Sequence, residues 1–167
     1  MAGQRYGTRI VATAGTLAVV AYAAVAMLQI LVWNPLAAAP GLSLTEIHEA
    51  MSAAGEGVSA PGVIGFLLVG PLIAAFLLIA ARRPDATPTA TTLGYLGLLA
   101  AGAGAYFLAS FGPGMALADT FLIGGADAAP AGWILIGVST LSALTFAGIG
   151  ALVAFRGRTG RRALPAT

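Results

Sequence analysis

Four apolar stretches without a charged residue divide this sequence, and they constrain its fold more than any other feature. They cover residues 10–33, 62–81, 93–111 and 133–155. The hydrocarbon core of a bilayer is about 30 Å thick and requires about 20 helical residues to cross. An arginine or aspartate at the centre of such a helix would cost roughly 2.5–3.5 kcal/mol of insertion free energy. The sequence therefore predicts an all-α, polytopic membrane protein, in which residues 1–167 form a single domain built as a bundle of four transmembrane helices.

The composition supports the same fold class and excludes several activities. Only 8% of the residues are charged and 59% are hydrophobic, whereas a soluble domain carries about 25% charged residues. The chain contains neither cysteine nor lysine. Disulfides, thiolate metal ligands, Schiff-base lysines and the lysine of a phosphate-binding loop are therefore excluded.

The distribution of arginines predicts the orientation. All eight arginines flank the predicted spans on one side, whereas five of the six acids and the only histidine fall on the other. Short loops rich in basic residues remain on the cytoplasmic side, so we expect a multi-pass plasma-membrane protein with both termini in the cytoplasm. Trp33 and Trp133 then lie at the outer interface, where indole rings are favoured. The arginines are Arg5, Arg9, Arg82, Arg83, Arg156, Arg158, Arg161 and Arg162.

The N-terminal region resembles a secretory signal peptide, with a basic start, an apolar stretch and small residues at 37–39. The apolar stretch is longer than the 7–15 residues or so of a signal peptide, and Pro40 would directly follow the cut. We therefore expect the first span to be retained as an anchor.

Both predicted outer loops have internal order. In the first, Ser43 and Glu46 fit a capping box, and apolar residues then recur on one face. This pattern predicts an amphipathic helix over 44–54, lying on the outer membrane surface or over the bundle. The second loop, 112–132, contains a short apolar segment that we expect to dip into the interface.

The two halves of the chain resemble each other. An aromatic residue precedes a proline by two positions at Trp33 and Pro35, and again at Phe111 and Pro113. Each pair would close a span, and each half would then be a helix, an acidic outer loop and a second helix. The sequence thus suggests two duplicated helical hairpins in the same orientation.

Small residues predict where the helices pack, because they allow close approach in lipid. We expect the tightest contact between a stripe on span four and one on span three. Pro71 lies within span two and predicts a kink. The two stripes are Ala143, Ala147, Gly150, Ala151 and Ala154, and Gly97, Ala101, Gly104 and Ala105.

The spans contain few polar side chains. Gln29 is expected to reach toward the interface beside Trp33. We expect the hydroxyls of the fourth span to bond their own helix or a neighbour rather than line a hydrophilic path. These hydroxyls belong to Ser139, Thr140, Ser142 and Thr145, and Tyr22 and Tyr106 are the other polar groups.

Metal and enzymatic chemistry have little support. Glu46, His48 and Glu49 carry ligand atoms on the outer helix, but their spacing matches no binding motif, and a solvated acidic face explains them better. Asp119 and Asp127 are expected to cap or turn the second outer loop. We therefore predict no catalytic, cofactor-binding or metal site, no cofactor and no nucleic-acid partner.

By elimination, the sequence favours a non-catalytic accessory or scaffolding membrane subunit, whose partners are the lipid bilayer and other membrane proteins or itself. The alternative is a minimal uncoupled permease or channel for a small solute, formed as an oligomer around the hydroxyls of span four. A weaker possibility is a sensor whose outer helix binds a divalent ion. The use of arginine without lysine is typical of a GC-rich bacterial genome and indicates no function.

Overall fold

The computed structural model describes the backbone of residues 2–162 and the side chains of residues 4–156. The chain is 82% helical, and these residues contain no strand. The all-helical prediction is thereby confirmed. A π-helical turn, Gln29–Trp33, joins the first two of seven α-helices: α1 (Ala2–Leu28), α2 (Asn34–Ala38), α3 (Leu44–Ala53), α4 (Ala60–Leu67), α5 (Val69–Ala80), α6 (Pro88–Phe121) and α7 (Ala131–Arg162).

Four helical segments are long and apolar enough to cross a membrane, as predicted. They cover Gln4–Ala38, Ala60–Ala80, Pro88–Phe121 and Ala131–Arg156. The helices extend beyond the spans expected from the sequence, most of all at the start of the first, by residues 2–9, and at the end of the third, by residues 112–121. The arginines that follow Arg156 have side chains outside the described residues.

The first segment passes through Pro35 instead of ending there, so the closing role expected for this proline is wrong. Over Gln29–Trp33 the helix widens into a π-helical turn, and the amide of Asn34 donates to the carbonyl of Gln29. The helix then resumes with Pro35 in the first turn of α2, where a missing amide costs least.

The third segment also continues past its proline. α6 contains Pro113 and ends only at Phe121, so residues 112–121 are helical and do not form the expected loop. A helix of 34 residues is about 51 Å long at a rise of about 1.5 Å per residue, so α6 projects beyond a bilayer core. The projecting end packs against α3, where Ile47 and Met51 are buried against Ala116 and Leu117.

The second segment is interrupted near its proline, as expected. α4 ends at Leu67 and α5 begins at Val69, so the break falls at Leu68, three residues before Pro71. Proline at 71 lacks the amide that would bond the carbonyl of Leu67.

α1 and α6 form the centre of the bundle and run parallel. α5 packs mainly on α1, and α7 packs mainly on α6. Two glycine–tyrosine pairs set the central contact: a Cβ atom at Gly15 would overlap the ring of Tyr95, and one at Gly102 would lie 2.7 Å from the Cζ of Tyr22. Each helix therefore contributes one glycine and one tyrosine, seven residues apart.

Spans three and four do pack on each other, as α6 and α7, but the small-residue stripe predicted on span four does not form this contact. Ala143, Ala147, Ala151 and Ala154 are exposed in α7. A Cβ atom at Gly104 or Gly150 would meet nothing within 4 Å. The tight contact lies instead between α1 and α6, because tyrosine rings fill the spaces left by single glycines.

Candidate functional site

The hydroxyl run of the fourth span is divided between two environments. Ser139 and Ser142 are buried toward the bundle. Thr140 and Thr145 are on the exposed side, where each donates to a carbonyl of its own helix, Ile136 at 2.9 Å and Leu141 at 2.8 Å. The run therefore does not face one common surface.

Ser139 connects three helices through its hydroxyl. It donates to the carbonyl of Leu99 in α6 at 2.8 Å, and its oxygen lies 3.0 Å from the hydroxyl of Tyr22 in α1. A second group of hydrogen bonds lies nearer the arginine-rich end. There Tyr95 donates to the carbonyl of Ala74 in α5, and its hydroxyl also contacts that of Thr16. Each group of hydrogen bonds includes the tyrosine of one glycine–tyrosine pair, so packing and hydrogen bonding hold the same rings.

At the opposite end of the bundle, polar side chains hold the segment that connects α6 to α7. The Oδ1 of Asn34 accepts from the amides of Ala128 and Ala129, at 2.7 and 3.3 Å. The Nε2 of Gln29 donates to the carbonyl of Ala129 at 2.9 Å. The π-helical turn and the start of α2 thus present two amide side chains to a distant backbone segment.

Tyr106 and Asp127 lie at the same end of the bundle as Gln29 and Asn34, and we call these four side chains the outer cluster. The Tyr106 hydroxyl donates to the Asp127 carboxylate. A Cβ atom at Gly132 would overlap that carboxylate and lie 2.8 Å from the hydroxyl, so glycine is needed for their approach. Asp127 therefore accepts a bond from α6 instead of capping its own loop, which is a different role from the one expected.

Gln29 differs most from its sequence-based expectation. It is fully buried in the bundle and does not reach the interface. Its Oε1 has no hydrogen-bond partner among the described residues. A buried amide oxygen without a partner is costly, so this acceptor is the most polar unfilled position of the outer cluster.

The outer acids and histidine do not converge. Glu46, His48 and Glu49 are exposed on α3. Within the described residues, no group of three side chains with carboxylate or imidazole ligands is close enough to hold a metal ion. Glu46 instead completes the capping box, because its carboxylate accepts from the amide of Ser43 at 2.7 Å. That bond, together with one from the Ser43 hydroxyl, lowers the pKa of Glu46.

An apolar cavity of about 220 Å³ lies beside the break between α4 and α5. It is lined by residues of α1, α4, α5 and α6, and its lining is apolar apart from Tyr22. Because charged or strongly polar groups do not converge on it, the cavity offers no chemistry for an ionic substrate.

α7 is largely exposed along its second half. Residues 143–148 and 151–156 are exposed in succession, which covers every side of the helix. Only 11% of its most apolar 18-residue stretch is buried inside the protein, compared with 28% of the corresponding stretch of the first segment. The exposed surface combines small residues with large apolar ones such as Leu144 and Leu152.

The sequence did not reveal the roles of Asn34, Thr16 and Tyr95. Apart from the bond of Thr16 to its own helix, their partners lie between 21 and 95 residues away along the chain. Such pairs leave no local spacing pattern. The asparagine directly before a proline at a predicted helix end was the only available signal.

Comparison of the chain with family models, with curated proteins and with solved structures found no match. Functional inference therefore depends on the geometry of the helices and of the polar clusters described above.

Proposed function

We propose that the protein is a non-catalytic accessory or scaffolding subunit of the plasma membrane, and that it binds other membrane proteins or a second copy of itself through α7. The observation that carries this proposal is the exposed second half of α7. In lipid, helices associate through close van der Waals contact, and small residues allow that approach. On this helix Ala147 and Ala151 are exposed, and a Cβ atom at Gly148 would meet nothing within 4 Å.

The proposal includes the orientation expected from the arginines. Arg9 and Arg82 line one cleft, so the arginines beside the first and second spans share one end of the bundle. We assign this end to the cytoplasm, because basic residues in short loops remain there during insertion.

The duplication of two helical hairpins also belongs to this proposal. Its support is the parallel α1–α6 pair, with α5 packed on the first helix and α7 on the second. The prolines at 35 and 113 do not end their helices, so they no longer contribute to the argument.

The permease alternative requires a continuous row of available polar groups. Ser139 is engaged by Leu99 and Tyr22, and the two exposed threonines bond their own helix. This arrangement supports structural roles for the hydroxyls. Flux of small solutes into liposomes that contain the purified protein, lost in a Ser142→Ala variant, would favour the permease instead.

Affinity purification from native membranes tests the subunit proposal. We expect a partner or a second copy to co-purify with the wild type and to be lost in the Gly148→Leu/Ala151→Leu variant. A Leu72→Ala variant is the control, because Leu72 is exposed on α5, a different lipid-facing helix. A monomer without partners in the native membrane, or equal losses in both variants, would contradict the proposal.

A further inference from the structure

We propose that Arg9 and Arg82 bind the phosphodiester group of an anionic phospholipid in a cleft at the arginine-rich end of the bundle. The cleft has a volume of about 420 Å³. Arg9, Ala12 and Thr13 of α1 form one wall, and Leu78, Ala81 and Arg82 at the end of α5 form the other.

The position of the two arginines along their helices places the cleft at headgroup depth. Arg9 is the last charged residue before the first apolar stretch, and Arg82 is the first after the second. Charges at these positions border the hydrocarbon, where the phosphates of a bilayer lie. Basic pockets between transmembrane helices on the cytoplasmic side bind anionic headgroups in this way.

The polar groups of the cleft are available. Within residues 4–156, no carboxylate pairs with Arg9 or Arg82. The hydroxyl of Thr13 makes no hydrogen bond there either, whereas Thr8 and Thr16 each donate to a carbonyl of their own helix at 2.9 Å. Two guanidinium groups and one hydroxyl match the donors that a phosphodiester accepts, and arginine binds phosphate with bidentate geometry.

The apolar part of the lining favours a lipid over a free phosphate ion. Ala12 is fully buried and Ala81 is 8% exposed, and together with Leu78 they give both walls of the cleft apolar surface. A free ion would gain only the charge contacts. A phospholipid would also place its glycerol and the first methylenes of its acyl chain on apolar surface.

The acid nearest to Arg82 in sequence is not part of the cleft. Asp85 lies three residues after Arg82, but it is exposed and lines a different cleft, with Thr87 and Thr91. Arg5 and Arg83 lie close in sequence and outside the lining, so they contribute to the general positive charge of this end alone. Substitution of Arg5 or Arg83 therefore removes the same charge as substitution of Arg9 or Arg82, but outside the cleft, and serves as a matched control.

The test is a titration of the purified full-length protein in detergent with short-chain phosphatidylglycerol, followed by native mass spectrometry. We expect Arg9→Gln and Arg82→Gln each to weaken binding about fivefold, since one arginine near an anionic headgroup contributes about 1 kcal/mol. Thr13→Val weakens binding without a change of charge. Arg5→Gln and Arg83→Gln bind as the wild type does, and gel filtration verifies that every variant remains folded.

Two further arms identify the source of the phosphate. Short-chain phosphatidylcholine, which carries a compensating positive charge, should bind more weakly than phosphatidylglycerol. Inorganic phosphate should not displace the lipid at concentrations that exceed those of the lipid. The proposal would be overturned if Arg5→Gln and Arg83→Gln weakened lipid binding as much as the cleft variants do. It would also be overturned if inorganic phosphate displaced phosphatidylglycerol at a concentration equal to that of the lipid.

Discussion

Single glycines determine how closely the two central helices approach. Gly15 and Gly102 each accept a tyrosine ring of the facing helix, and the hydroxyls of those tyrosines then bond Thr16, Ala74 or Ser139. Packing against the glycine and hydrogen bonding of the hydroxyl together hold each tyrosine ring in one position. This combination explains why few polar groups suffice to define the bundle, although lipid supplies little hydrophobic driving force between helices.

The first prediction concerns Gly15→Ala. The added methyl group would overlap the base of the Tyr95 ring, which cannot move without its helix, so we expect a loss of about 1–3 kcal/mol in unfolding free energy. Gly104→Ala is the control, because its methyl group meets open space and alanine favours a helix. Thermal unfolding in detergent measures both variants, and equal stabilities would contradict the proposed contact.

The second prediction concerns the pKa of Glu46. Bonds from the Ser43 amide and hydroxyl favour the ionised carboxylate, so this pKa lies below its ordinary value of 4.5. A lowered pKa in the folded state means that the stabilisation of α3 is complete above pH 4.5 and is lost as the pH falls through the lowered pKa. Carboxyl chemical shifts from NMR report this titration.

Ser43→Ala removes the hydroxyl bond and should raise the pKa of Glu46 toward its ordinary value. Thr45→Ala is the control, because Thr45 is exposed and takes no part in the capping box. A wild-type carboxyl that titrates at 4.5 or above would show that the capping box does not form in solution.

At the scale of helices, the sequence predicted which segments are helical better than it predicted where they end. Charge-free length and the capping residues Ser43 and Glu46 act locally, so they are legible in the sequence. Pro113 removes a single amide, and the contact of α3 with α6 holds the helix beyond it. That contact is tertiary, and no local pattern near the proline reveals it.

The distinction between local and tertiary contacts also explains which side-chain environments the sequence predicted correctly. The hydroxyls of Thr140 and Thr145 bond their own helix, as local geometry predicts. Gln29 was expected at the interface, because its neighbours in sequence are apolar and Trp33 follows one turn later. Its position inside the bundle depends on Ala129, 100 residues further along the chain.

The third prediction concerns the segment between α6 and α7. Asn34→Ala removes the acceptor of two amides, at Ala128 and Ala129, and each unpaired amide costs about 1–3 kcal/mol where it is buried. Hydrogen exchange at these two positions should increase. Ser110→Ala is the control, since Ser110 is only partly buried and its hydroxyl bonds the carbonyl of Phe107 in its own helix. Unchanged exchange in Asn34→Ala would show that this segment is held by other contacts.

The whole molecule has an even number of helical segments that are long and apolar enough to cross a membrane. Four helical segments of sufficient length bring residues 4 and 89 to one end of the bundle and residue 52 to the other. This arrangement gives the arginine cleft and the outer polar cluster different environments. It also leaves α7 as the least buried of the four segments.

The fourth prediction tests this arrangement with single cysteines. Since the natural chain has no cysteine, only the introduced residue in Gln4→Cys, Ser52→Cys or Thr89→Cys reacts with a maleimide. In intact cells, a reagent that cannot cross the membrane should label Ser52→Cys alone, because we propose that the basic end faces the cytoplasm. Permeabilised cells should be labelled in all three variants, and the wild type supplies the unlabelled control. Labelling of Gln4→Cys and Thr89→Cys from opposite sides would exclude an even number of crossings between them, whereas labelling of both from outside would reverse the assigned orientation.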